Sequence, residues 1–458
     1  MSMNSHSSLF LSESEKVAGP KDLFFIWFAA NMGILGIVYG GIIIGFGLSF
    51  FQSLLVALLG PLSFILVGIV SLAGRDSGAT TFVLSRAAFG LKGNFIPALI
   101  GWVTQIGWLT VNVSTGTLTI LTLLHLFGVG TNTVTTLLGL AIFAGMVIVS
   151  SLFSQQLLVK VQTFFTYFFG GLTILVIGFI IPSANWGKLI EMHSGSWLTD
   201  FLPALVFTMI GTGLTWTKVA SDYSRFQKKS NSNYSVISSV TFGALIPLFI
   251  IIGAGVLLAS FVPDLASASN PILAIIDSGS LPHWLIVLYA LAALGGLTPQ
   301  CFIGLKSSGL IMKSFNINWK ESYVIFFHSL IIIVVPIYIL IISKNFLGFF
   351  QGFLSALGVG LAAWAAVFIT DYICLRKQGY NSELLEIERA RKVNMKGVIS
   401  WIISVLVGVL FTKSTLFTGP LAVGVFAKSN LGVFFTLFTS AVLYLILIQN
   451  ERRHKEEV

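Results

Sequence analysis

Charged side chains are scarce in this chain of 458 residues: Asp, Glu, Lys and Arg together make up 9% of it, against about 25% in an ordinary soluble domain. That scarcity excludes a string of soluble domains. Cysteine is almost absent. Cys301 and Cys374 provide neither a disulfide framework nor the spacing of a zinc site. His125, His193, His283 and His328 lie on different segments of the chain, with no HExxH or paired spacing, which removes the usual sequence signature of a metal hydrolase. Carboxylates are missing from the middle of every long apolar run. Only Asp222 and Asp371 come close to one, each near its end. Ionisable groups in hydrocarbon commonly mark proton or ion paths, so a pump built on a buried carboxylate relay is disfavoured, as is an intramembrane aspartyl hydrolase.

What the chain has instead is apolar length. Hydrophobic residues make up 55%, close to the roughly 250 positions that twelve spans of about 21 residues would require. Twelve apolar segments run approximately over 24–46, 50–73, 95–120, 132–153, 160–182, 203–220, 238–262, 283–305, 322–342, 349–370, 397–413 and 430–448; they are called spans 1 to 12 below. None alternates every second residue as a barrel strand would, so the fold class is an all-α polytopic membrane protein with 12 transmembrane helices.

With a cytoplasmic N-terminus, 22 of the 26 Lys and Arg residues fall on the cytoplasmic side. The other side holds Lys188, Lys344, Lys413 and Lys428. This asymmetry predicts both termini inside and accounts for the net charge of +9 without a nucleic-acid partner. No obligate protein partner is implied, and the bilayer itself is the expected surrounding, a multi-pass cell (plasma) membrane location. The serine-rich stretch from Met1 to Pro20 enters a full-length apolar segment with no evident cleavage site, so span 1 is expected to be retained. The charged tail from Glu451 to Val458 is expected to be disordered.

Neutral polar groups at mid-span are concentrated in a few places. In span 3, Gln105, Trp108 and Asn112 are spaced i, i+3, i+7 and share one helical stripe. Two amides and an indole on one stripe suit a flat heteroaromatic ring; interhelical amide glue is the alternative. Span 1 carries Ala29-Ala30-Asn31-Met32-Gly33, and span 6 carries Gly211-Thr212-Gly213-Leu214-Thr215-Trp216. Such clusters either break a helix, as in transporters, or permit close packing. Their positions favour breaks, since spans 1 and 6 each open a block of five helices. Gly33, Trp108 and Thr212 fall near one depth. Span 8 adds Thr298-Pro299-Gln300, where Pro299 removes a backbone donor and frees a carbonyl nearby for a cation or a water.

At these residues the chain resembles the nucleobase:cation symporter-1 family, the purine, cytosine and hydantoin permeases, and most of all its purine-cytosine branch. The signals are Trp27-Phe28-Ala29-Ala30-Asn31, Ser85-Arg86-Ala87-Ala88-Phe89-Gly90, Gly107-Trp108 followed by Asn112, Ser221-Asp222-Tyr223-Ser224-Arg225, and Asp371-Tyr372 followed by Arg376. The resemblance implies a LeuT-like 5+5 inverted repeat plus two C-terminal helices. Its units would be a cytoplasmic tail over 1–22, repeats over 23–182 and 183–370, a cytoplasmic loop with helices 11 and 12 over 371–448, and a cytoplasmic tail over 449–458.

The resemblance also implies a base stacked on Trp108 and hydrogen-bonded by Gln105 and Asn112. Thr212 and Thr215 would make polar contacts beside Gly33 at the two breaks, and Gln300 would act from span 8. The aromatic that covers the other ring face in relatives corresponds to Gly213, so Trp216, one turn on, is expected to take its place. Sodium-coupled relatives use span 1 carbonyls, here those of Ala29 and Met32, with two adjacent span 8 hydroxyls. The matching positions, Leu294 and Gly295, carry none, and Thr298 would replace one only in a different register. The coupling ion is H+ or Na+, with the proton preferred; Lys218 standing in for the cation and Asp222 titrating are alternatives to structural roles for both. No cofactor is expected.

The function expected is therefore secondary active import of a purine or pyrimidine nucleobase by cation symport. A sodium-coupled transporter of hydantoin, allantoin or a vitamin ring is the alternative. A polytopic membrane enzyme is the reading from another class, and it lacks a nucleophile-and-base or metal cluster. A passive channel is the remaining option.

Overall fold

A computed structural model describes residues 9–262, 265, 282–316, 319–377, 379–380, 385, 387, 391–413, 417–429 and 431–456. Among them, eight helices are long and apolar enough to cross a membrane, and one bent pair makes a ninth. Three shorter apolar helices, Thr133–Val149, Met395–Leu410 and Gly432–Leu447, fall on the stretches expected for spans 4, 11 and 12. Every one of the twelve apolar stretches carries a helix. Residue 430, where span 12 was expected to begin, lies outside the described residues.

Span 1 is the bent pair. Its first helix, Pro20–Ala30, starts with proline at the first helical position, where the missing N–H costs nothing. Asp22 Oδ2 accepts from the Gly19 N–H at 2.7 Å. The helix stops at Asn31, whose side-chain amide turns back to donate to the Trp27 carbonyl at 2.8 Å. The second helix, Leu35–Gly45, leaves at 63° to the first. Span 6 breaks differently. It runs from Trp197 to Ser224, but Ile210–Leu214 is a π-turn in which Thr212 leaves helical geometry (φ −116°, ψ −111°). The glycines on either side serve packing. A side chain on Gly211 would run into Tyr39 of span 1, and one on Gly213 into Ser63 and the Phe64 backbone of span 2.

Two groups of helices result. Span 7, Asn233–Leu258, packs against both halves of span 1 and both helices of span 2. Span 8, His283–Ser314, lies along span 3, Phe95–Leu126, and also meets span 5. Spans 11 and 12 pair with each other against span 10. Where span 7 crosses span 1, the backbones nearly touch. Gly40 faces the backbone of Ile252, Gly255 and Val256, and Gly255 faces the backbone of Ile37. Small residues make such approaches possible in lipid, where packing rather than water exclusion drives association.

The N-terminal segment is ordered against distant loops, and the C-terminal tail departs from expectation. Residues 9–19 are laid across the loops that follow spans 2 and 6. The Thr80 N–H donates to the Leu9 carbonyl at 3.2 Å, Leu11 N–H to Gly78 at 2.9 Å, and Ala18 N–H to Phe226 at 2.9 Å. Residues 1–8 lie outside the described residues. The C-terminal tail is helical over Gln449–Glu456 rather than disordered, held by an ion pair between Lys396 and Glu451 at 2.8 Å. Arg86, 3% exposed, joins the same face by donating to the carbonyls of Ser314 (2.8 Å) and Leu385 (3.1 Å). Burial pushes its guanidinium down to about 10, which leaves it charged at neutral pH. Together these contacts bring the N-terminal segment, the loops after spans 2, 6, 8 and 10 and the C-terminal helix to one face, where most of the basic residues gather.

The glycine crossing predicts opposite signs for one substitution at two nearby positions. Gly255→Ala forces the span 1 backbone aside and should lower stability by about 1–3 kcal/mol. At Gly253 a new Cβ would meet only Leu54 Cδ2, at 3.9 Å, so Gly253→Ala should be neutral or stabilising by up to about 1 kcal/mol. Thermal unfolding of the detergent-solubilised protein measures both, and equal shifts would contradict the packing described.

Candidate functional site

One enclosed pocket opens where spans 3, 6 and 8 converge. Gln105, Trp108, Leu109 and Asn112 form one wall, Trp216 and Lys218 a second, and Gln300 and Gly304 a third. The space between these walls is narrow in this conformation, about 220 Å³ with the adjoining open solvent included.

The span 3 stripe supplies the most regular wall, because an unbroken helix presents positions 105, 108 and 112 along one line. Trp108 is 7% exposed. Its ring stands edge-on to Phe353 of span 10, with centroids 6.0 Å apart and planes at 82°, so its position is set from behind. The neighbouring hydroxyls are spent within the helix, Thr104 on the Ile100 carbonyl and Thr110 on that of Ile106. The amides are not. Gln105 Oε1 and Asn112 Oδ1 are buried and accept no hydrogen bond among the described residues. Buried polar atoms in folded proteins nearly always have partners; these two lie beside the cavity, where a ligand or water can supply them.

Span 6 delivers Trp216 to the pocket through its irregular stretch. The Trp216 ring meets Trp27 of span 1 at 5.4 Å and 81°. Below the break, a series of donors turns back onto the backbone. The Thr212 hydroxyl donates to the Thr208 carbonyl at 2.6 Å, and Thr215 to Thr212 at 3.1 Å. The Lys218 ammonium donates to the Thr215 carbonyl.

Among the predicted residues, Gln105, Trp108, Asn112, Trp216 and Gln300 are brought together. Gly33 sits just behind them, since a Cβ there would lie 3.2 Å from Gln300 Oε1; its lack of a side chain leaves room for that amide. Thr212 and Gly213 are not among the lining residues. The Thr212 hydroxyl also reaches the Gly60 carbonyl of span 2 at 3.3 Å, and Gly213 is pressed on Ser63, so both face span 2. Thr215 contributes its carbonyl to Lys218 rather than a side chain to the wall. The cation candidates stand apart from the pocket. Met32 packs its carbonyl on Gly296, Ala29 accepts a long bond from the Met32 N–H at 3.5 Å, and the Thr298 hydroxyl is turned onto the Leu294 carbonyl at 2.8 Å. No cluster of three metal-ligating side chains occurs among the described residues.

Lys218 is the residue whose place the sequence did not reveal. It looked like a group at the end of span 6, yet it is 1% exposed and lines the pocket beside Trp216. The available signal was its position as the one ionisable residue inside the apolar stretch 203–220. Asp222 has a structural part: Oδ1 accepts the Thr81 N–H at 3.0 Å and its hydroxyl at 3.2 Å. Next to it, Tyr223 ties span 6 to span 8, donating to the Ile303 carbonyl at 2.6 Å beside the Ser307 hydroxyl at 3.0 Å.

Residues 11–433 match the family described as permeases for cytosine/purines, uracil, thiamine and allantoin. The chain is 24% identical to the putative purine-cytosine permease YxlA of Bacillus subtilis, over 96% of this chain and 94% of that protein. It is 25% identical to the purine-cytosine permease FCY22 of Saccharomyces cerevisiae, over 77% and 68% of the two chains. In fold it resembles Mhp1, a nucleobase-cation-symport-1 family transporter. The TM-score is 0.78 at 17% identity to the closed conformation with bromovinylhydantoin bound, covering 98% of this chain and 95% of that one. Against inward-facing Mhp1 it is 0.71, also at 17% identity. With its inverted-repeat fold, its membrane-spanning helices and a family match over nearly its whole length, this chain belongs to the cytosine/purine, uracil, thiamine and allantoin permeases and is a transporter rather than an enzyme.

Proposed function

We propose that this permease imports a purine or pyrimidine base across the plasma membrane by proton symport, with alternating access around the pocket between spans 3, 6 and 8. The observation that carries the reading is the convergence of two indoles and two unpartnered amide oxygens on one small cavity. The base stacks on Trp108, with Trp216 taking the role of the second aromatic and Gln105, Asn112 and Gln300 reading its edges. A buried amide left without a partner by the wrong analogue is penalised, which gives the site selectivity as well as affinity. Thr212, Gly213 and Thr215 act from behind, by shaping and capping the span 6 break. Access alternates as the helices of the two repeats, 23–182 and 183–370, move about these breaks. Both termini face the cytoplasm, in keeping with the basic residues gathered on their face.

For the coupling ion, the span 8 positions support a proton. Leu294 and Gly295 offer no hydroxyl beside the carbonyls of Ala29 and Met32, and the Thr298 hydroxyl already donates within its own helix. A Na+ ion there would be short of the several oxygen ligands that hard cations take.

Trp108→Ala should abolish uptake of labelled purines and pyrimidines by whole cells while the protein remains inserted and unfolds cooperatively. Normal transport by that variant would remove the proposed site. Replacing external sodium with choline should leave uptake unchanged, and a protonophore should reduce it by about tenfold or more, because dissipating the proton gradient removes the driving force of a proton symporter. Uptake that follows sodium instead would overturn the proton assignment, and uptake indifferent to both treatments would indicate a passive channel.

A further inference from the structure

Lys218 is, among the described residues, the one ionisable group that lines the pocket. An ammonium has three donors and no acceptor. Among the described residues, one hydrogen bond from Lys218 Nζ is formed, to the Thr215 carbonyl. The Trp216 ring centroid is 5.7 Å from the same nitrogen, within reach of a cation–π contact. The carboxylate one turn on, Asp222, accepts from Thr81 through Oδ1; its charge acts on the ammonium, but the two groups form no direct ion pair. A buried ammonium with donors to spare is a costly arrangement inside a membrane, and it is relieved when something in the pocket brings acceptors. The span 3 wall has the complementary need, since among the described residues Gln105 Oε1 and Asn112 Oδ1 are acceptors without donors.

We propose that Lys218 is a specificity-determining residue and that the site takes 6-oxopurines, such as hypoxanthine and guanine, in preference to adenine. The proposal rests on the reading of this pocket as the base site. On a 6-oxopurine, O6 and N7 form a pair of adjacent acceptors, the edge that lysine and arginine read most often in nucleic acids. The ring nitrogen next to O6 carries a hydrogen, which suits an amide oxygen of span 3. Adenine inverts both positions. Its exocyclic amino group would point a donor at the ammonium, and its bare N1 would meet an amide oxygen as acceptor against acceptor. Two mismatches in a water-poor pocket leave buried groups unsatisfied on both sides.

Equilibrium binding of hypoxanthine and adenine to the purified full-length protein in detergent tests this directly, since the two differ only at the inverted positions. Hypoxanthine should bind at least about tenfold more tightly than adenine. In Lys218→Met, which keeps length and removes charge, that preference should fall to within about threefold, whereas Lys218→Arg should retain a preference for hypoxanthine. Thermal unfolding of each variant establishes that it is folded. Wild-type protein that binds adenine as tightly as hypoxanthine would overturn the proposal whatever the variants do, as would an undiminished preference in folded Lys218→Met. Failure of the underlying reading looks different: well-folded wild-type protein would then bind neither purine nor any pyrimidine, and no preference would exist to be measured.

Discussion

Hydrocarbon tolerates no unsatisfied backbone, and the rest of this structure follows from that constraint. A helix may be interrupted inside a membrane only where other protein groups take up the freed N–H and C=O groups. Both interruptions here are serviced in that way. In span 1 the Asn31 amide caps the Trp27 carbonyl. In span 6 the donors of Thr208, Thr212, Thr215 and Lys218 fall in succession on the carbonyls of Ala204, Thr208, Thr212 and Thr215. The polar side chains that make the breaks affordable are thus the same ones that bring polarity to mid-membrane depth.

A second consequence concerns glycine. Breaks of this kind must be buried in protein, so the helices around them have to approach closely. The chain removes side chains where they would collide. Gly211 and Gly213 let span 6 lie against Tyr39 and Ser63, and Gly255 lets span 7 meet the backbone of span 1. Gly304 and Gly33 do something else with the same absence. Each leaves space next to an amide, Gln105 in one case and Gln300 in the other, and so helps to keep the pocket open. Backbone flexibility is not the common factor; at these glycines the useful property is the missing volume.

Much of the architecture was legible in the sequence because the bilayer imposes a length and a polarity on every span. Twelve apolar stretches, the single-face stripe of Gln105, Trp108 and Asn112, and the clusters around Asn31 and Thr212 could each be read from local pattern. Less legible was the role of each residue within a cluster. Thr212 and Gly213 looked like pocket residues, yet they face span 2, because the rotation of a helix after a break is set by packing and not by the 3.6-residue period. For the same reason Lys218, two residues beyond Trp216, arrives beside it on the pocket wall. The C-terminal tail was misread from composition alone. A polar stretch can be ordered when backbone partners are supplied by loops distant in sequence, as Gly78 and Phe226 supply them to residues 11 and 18.

The sequence by itself determined that this is a helical membrane transporter of a known family, how many apolar stretches it has, and which of them are interrupted. Those are consequences of hydrophobicity and local backbone chemistry, which act over a few turns of chain. Only the tertiary structure decided which polar atoms share a cavity, and that amides from span 3 line it together with a lysine from span 6. The azimuth of a broken helix depends on the close packing of its neighbours, an interaction between residues more than a hundred positions apart that no local pattern encodes.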